Sequence, residues 1–227
     1  MRETRKNIVW RDIKNMAISN ETFQLNDTGL QAHLDSILKR RSIRKLASGV
    51  VSDETILRIL EAARWAPSAG NSQPARLVVL KERNQAFWDF IEATFKQKLQ
   101  GEQLQRALNR LPGYRAGVFS IVFFEDTTIA DSQRASGMPD ETVKSFAAQA
   151  LGIVQANVWN AITAAGLAAS NQHMNLQMEE ELKNFLNVPT TWKSYSIFPV
   201  GYPNEVPSEG SRRDVQDVIF FEHGPRA

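Results

Sequence analysis

The chain has 227 residues, 42% hydrophobic and 23% charged, enough for one globular domain with a sizeable core. Its 27 lysines and arginines stand against 25 acidic residues, and a net charge of +2 gives no case for a polyanionic partner such as nucleic acid. The absence of cysteine excludes disulfides, CxxC redox chemistry, iron–sulfur clusters and thiolate nucleophiles, so any redox chemistry must come from a cofactor.

His33, His173 and His223 have no metal-ligand spacing, and no metal site is expected. GxGxxG, P-loop and GxSxG motifs are all missing. The first residues are basic, but no apolar stretch of signal length follows, and Glu3 and Asp12 break a transit-peptide charge pattern; a cytoplasmic location is the expectation.

Residues 1–26 are too weakly patterned to assign and are read as an N-terminal arm, leaving 27–227 as a single domain. Asn26 or Asp27 caps a first helix in which Leu30, Leu34, Ile37 and Leu38 recur at helical spacing, ending near Arg41. Ser52 caps a second, whose stripe of Ile56, Ile59, Leu60 and Ala63 stops at Pro67. Residues 76–81 read as a buried strand, 84–111 as helix with Gly101 a break, and 118–124 as the clearest strand.

The stretch up to Glu141 has no apolar periodicity and reads as a long loop. Residues 143–165 are apolar on nearly every face, which places a helix on the order of 35 Å long inside the protein. Lys144 and the amides of Gln149, Gln155, Asn157 and Asn160 argue against a membrane span there. A short strand at 167–170, an acidic helix at 178–186 and a core strand at 194–200 complete the chain. The order predicts an α+β fold, a small and mainly antiparallel sheet flanked by helices.

Two stretches carry chemistry. Arg40, Arg41, Ser42, Arg44 and Lys45 form a cation-rich turn at a helix end, and 67–74 form a Pro/Ser/Gly/Asn loop. Guanidiniums and a hydroxyl suit a phosphate, and amides suit the edge of a flat heterocycle. By spacing alone, cations that complement a helix dipole are the favoured reading of the first stretch, and an ordinary helix-to-strand turn explains the second equally well.

The segments Arg40-Arg41-Ser42-Ile43-Arg44, 62–74 through Pro67-Ser68-Ala69-Gly70-Asn71-Ser72-Gln73-Pro74, 155–159 and 166–175 occur in the order that resembles the FMN-dependent nitroreductases. The last two segments narrow the resemblance to the subgroup like the yeast fatty-acid-repression-mutant protein and its bacterial relatives. The resemblance spans about residues 34–221. It implies a nitroreductase-like fold with the long buried helix at a homodimer interface. FMN would lie there, held by Arg40, Arg41, Ser42, Arg44, Asn171, Gln172, His173, Arg212 and Arg213, with Arg213 favoured over Arg212 for the phosphate. Pro67, Ser68, Ala69, Asn71 and Gln73 of the other subunit would pack against it.

Typical members carry Pro and Glu-Gly where this chain has Asn171, His173 and Met174, so His173 is a candidate tuner and no side chain is an expected catalytic group. The aromatics Trp65, Trp88, Trp159 and Trp192 read as core or interface. The implied activity is hydride transfer from NAD(P)H through FMN to a nitroaromatic or quinone. The alternatives are a deiodinase-like or flavin-fragmenting enzyme, or a flavin-binding stress or regulatory module with little turnover.

Overall fold

In the computed structural model the described residues are 27–207 and 210–219; the arm at 1–26, the cap Asn26 and the end of the tail lie outside them. A five-stranded antiparallel sheet has the order β1-β5-β3-β2, with β4 also paired to β5. The strands are β1 (Leu46–Ala47), β2 (Ala75–Leu80), β3 (Phe119–Asp126), β4 (Ala168–Ala169) and β5 (Trp192–Pro203). The helices are α1 (Asp27–Lys39), α2 (Asp53–Arg64), α3 (Asn84–Lys98), α4 (Gly101–Leu108), α5 (Leu111–Arg115), α6 (Thr127–Ala135), α7 (Asp140–Ala164) and α8 (Glu179–Leu186). Chain contacts divide the molecule inside α1, into residues 1–35 and 36–227.

Strand β3 lies at the centre because successive side chains point to opposite faces and both faces are apolar. Phe119, Ile121 and Phe123 meet α2 and α7, in a cluster with Ile59, Leu151, Val158 and Phe198. Val122 and Phe124 turn the other way, to Trp88, Ile91, Tyr114 and Leu182 of α3, α5 and α8. The one polar side chain buried at its start is satisfied: Ser120 donates to Asn84 at 2.7 Å and accepts from the Trp88 indole at 3.1 Å. Leaving such a group without a partner would cost about 1–3 kcal/mol.

Ser52 caps α2 as the sequence indicates, its hydroxyl accepting from the Thr55 amide at 3.1 Å. One expectation needs correction. The long loop before Glu141 is interrupted by α6, a helix with only Ala130 buried. It has almost no apolar stripe to read; its cause is Asp126, whose carboxylate caps the Thr128 amide at 3.2 Å and takes the Thr128 hydroxyl at 2.6 Å. Helix α7 is covered on one face only, through Val143, Ala147, Leu151, Val154, Val158 and Ile162, while Ile153 is 37% exposed. Among the described residues no helix is long and apolar enough to cross a membrane.

The Thr128 hydroxyl, aided by Arg76 at 2.8 Å, holds the Asp126 carboxyl below its ordinary range. A depressed folded-state pKa adds stability that is present above the unfolded value and lost as pH falls through the folded one. Asp126→Asn keeps an acceptor at the cap but loses the charge that Arg76 and the Thr128 hydroxyl face, and is expected to cost about 1 kcal/mol at neutral pH. In urea titrations from pH 7 to pH 3, that deficit should shrink as the wild-type carboxylate protonates.

Candidate functional site

The basic turn is fastened to the sheet before any ligand is considered. The Ile43 amide donates to the Ala169 carbonyl at 3.1 Å, and Ser42 forms a parallel bridge with the same residue. Ile43, Leu46 and Ala168 bury together beneath it. On the far side, Glu205 accepts from the amides of Arg44 and Lys45. Those bonds hold its carboxyl below the usual range. Gly113 closes the turn from α5, where a Cβ would lie 2.3 Å from the Arg44 carbonyl oxygen.

Arg40 lies with its guanidinium carbon 4.5 Å from the centre of the Trp159 ring, a cation–π contact. Burial lowers its pKa, and the charges of Arg212 and Arg41 lower it further. Among the described residues no carboxylate pairs with Arg40, Arg41 or Arg212. A guanidinium held among like charges with no acid beside it would be relieved by an anion. Nearby, the indole nitrogen of Trp159 and the Oδ1 of Asn171 are buried without a partner among the described residues. These groups fit a phosphate ester with polar edges, and FMN is one such group.

The next segment is held by its backbone. Gln172 donates to the Ile197 carbonyl at 2.9 Å and accepts from the Ile197 amide at 2.8 Å, as a one-residue extension of the sheet. Its side-chain oxygen takes the Tyr114 hydroxyl at 2.9 Å, and its amide nitrogen donates to Ser170 at 2.9 Å. Asn171 donates to Gln155 at 3.5 Å, and Gln155 in turn donates to Ser196 at 2.9 Å. His173 is exposed, at the mouth of a cavity of about 460 Å³ that Tyr114, Gln172, Arg106 and Arg110 also line. Burial raises the Tyr114 pKa, against the opposing charges of Arg110 and Arg44.

The loop 67–73 is stiff and stands apart. The Ser68 hydroxyl accepts from the Gln73 amide at 2.9 Å, and Gly70, Asn71 and Gln73 take positive φ angles of 60°, 53° and 48°. Pro67, Ser68 and Ala69 line hollows beside Ala150 of α7, and Pro67 and Ser68 also face Val154. Trp159 lies nine residues beyond Ala150, roughly 14 Å along the helix. Among the described residues no hydrogen bond joins this loop to residues 40–44. Within one chain, then, the turn, the 171–173 segment and Arg212 come together, and the loop does not join them.

Arg212 and Arg213 are both exposed, and of the two it is Arg212 whose charge acts on Arg40. The sequence marks Trp159 as core or interface and gives no sign of Arg106, Arg110 and Tyr114. These three fall on α4, in the turn after it and on α5, so that packing and no local period groups them.

A model of the nitroreductase family matches residues 37–202. The chain belongs to the nitroreductase family. A 5,6-dimethylbenzimidazole synthase of Rhodospirillum rubrum is 27% identical over 191 residues, 81% of this chain and 88% of that one. The nitroreductase FRM2 of Saccharomyces cerevisiae is 26% identical over 197 residues, covering 84% and 97%, in keeping with the subgroup that the motifs resemble. Among solved structures, a putative nitroreductase of Desulfovibrio desulfuricans in complex with FMN superposes with a TM-score of 0.61 at 26% identity, over 85% of this chain and 97% of that one.

Because the group opposing Gly113 is backbone, Gly113→Ala must push α5 and the basic turn apart. A loss of about 1–3 kcal/mol is expected, as for overpacking elsewhere. Chemical denaturation of the purified variant checks it, and an unchanged midpoint would mean that the turn is not clamped there.

Proposed function

We propose that this family member is an FMN-dependent oxidoreductase that passes a hydride from NAD(P)H to nitroaromatic or quinone acceptors, and that it works as a homodimer. The observation that carries the reading is Arg40, held over the Trp159 ring at 4.5 Å with no acidic partner among the described residues, while burial and then the charges of Arg212 and Arg41 lower its pKa. Arg40, Ser42, Arg212 and Arg213 would hold the phosphate, and Arg44 would place a positive charge at the pyrimidine edge. Bound FMN supplies the hydride-accepting and hydride-donating chemistry.

The chain itself contributes orientation and the exclusion of water. Gln172 is pinned through its backbone to Ile197 and through its side chain to Tyr114, so its neighbours Asn171 and His173 present a fixed edge to the ring. His173, standing where typical members have a glutamate, would tune the cofactor from that edge and takes no obligatory proton. The preformed loop with Pro67, Ser68, Ala69, Asn71 and Gln73 would close the ring's other side from a second subunit. The half-covered face of α7, with Ile153 exposed, supports that assembly.

FMN affinity tests the cofactor assignment. Loss of one charged partner should cost about 1.5–3 kcal/mol, roughly tenfold to a hundredfold. Arg40→Ala and Arg212→Ala are therefore expected to release FMN on dialysis where the wild type retains it. Retention by both would remove the phosphate site. Rapid bleaching of the yellow protein by NADH or NADPH under nitrogen, with recovery on adding menadione, supports an enzyme. A negligible rate favours a flavin-binding module instead.

Assembly has its own measurement. Sedimentation at micromolar concentration should give twice the mass of the 25.6 kDa chain. An FMN-loaded monomer would contradict the two-subunit site.

A further inference from the structure

We propose that the cavity of about 460 Å³ beside His173 is the acceptor pocket and that it selects aromatic acceptors bearing a carboxylate. This rests on the oxidoreductase reading above and adds the substrate class. One end is the edge of Gln172 and His173, and Phe95 and Leu99 supply an apolar lining. The rim carries Arg106 and Arg110. No carboxylate lines the cavity among the described residues.

Arg106 lies on α4 and Arg110 in the turn that leads into α5, and both line this one cavity. Two forked guanidiniums on one rim can close on a single carboxylate, a geometry that lysine cannot reproduce. Both side chains are exposed and so retain the freedom to swing onto a ligand. Arg106 has one competing acid, Glu102 at 3.7 Å, in a pair so exposed that a desolvated ligand carboxylate displaces it. An aromatic ring over Phe95 and Leu99 with its acid at the rim would point its opposite end toward the edge formed by Gln172 and His173. A 4-nitro acid has its reducible group there.

The test compares 4-nitrobenzoate with 4-nitrobenzamide, which share shape and nitro group and differ in charge. Binding of each to the FMN-loaded protein is measured by equilibrium dialysis without reductant, so that the readout does not depend on turnover. The wild type is expected to prefer the acid by about tenfold, and the preference should weaken as salt is raised. Arg106→Gln and Arg110→Gln should each reduce the ratio, and the double variant should abolish it. Arg106→Lys should retain part of the preference.

Glu102→Gln removes the competing acid, and should tighten 4-nitrobenzoate by roughly two- to fourfold while leaving the amide unmoved. A wild-type ratio within twofold, binding of neither compound, or a preference that survives the double variant overturns the proposal. Menadione reduction by the same wild-type sample separates the two levels of argument. Turnover of menadione without acid preference sinks the substrate class alone, whereas no turnover sinks the oxidoreductase reading.

Discussion

Strand β5 is the constraint on which the site depends. One of its edges pairs with β3, buried on both faces; the other carries β1, β4 and the Gln172 bridge in succession. The basic turn reaches the sheet through Ala169 of β4, and Gln172 reaches it through Ile197 of β5. The basic turn and the 171–173 segment are therefore set by the same strand, which also feeds both hydrophobic clusters through Phe198, Val200 and Ile197. A shift of β5 by one residue would exchange its two faces and move both parts of the site together.

Charge crowding is the second principle, and packing makes it possible. Like charges disperse when they are free to do so, yet Arg40 is held between the Trp159 ring and the influence of Arg212 and Arg41. The turn cannot relax outward, because Ile43 and Leu46 are buried beneath it and Glu205 ties down its amides. Apolar contacts thus bear the electrostatic cost, which an anion would remove on binding.

Much of this was legible in the residues. The continuous apolar run of β3, the Ser52 cap and the Pro67 stop each express one local rule, and the structure follows them. Helix α6 was not legible, because its formation rests on the Asp126 cap and on Arg134 bonding both Asp131 and Asp140, with almost no apolar period to detect. Strand β1 has only two residues and owes its existence to the pairing with Tyr202 and Pro203 far along the chain. Composition reveals that α7 is apolar all round, and says nothing of which side its own chain covers. For the site, the motifs marked the turn and the 171–173 segment, but the cavity wall from α4 to α5 arises from tertiary packing that no motif encodes.

The loop at 67–73 reaches its shape without help from residues 40–44. Three left-handed residues in four positions are rare outside glycine, and here two of them are Asn71 and Gln73. Once such a conformation is secured by the Ser68 hydroxyl, little disorder is left to surrender. Whatever surface the loop meets, it meets as a finished die rather than as soft wax. Recognition there is governed by shape already cut, and a misfitting counterpart is refused rather than accommodated.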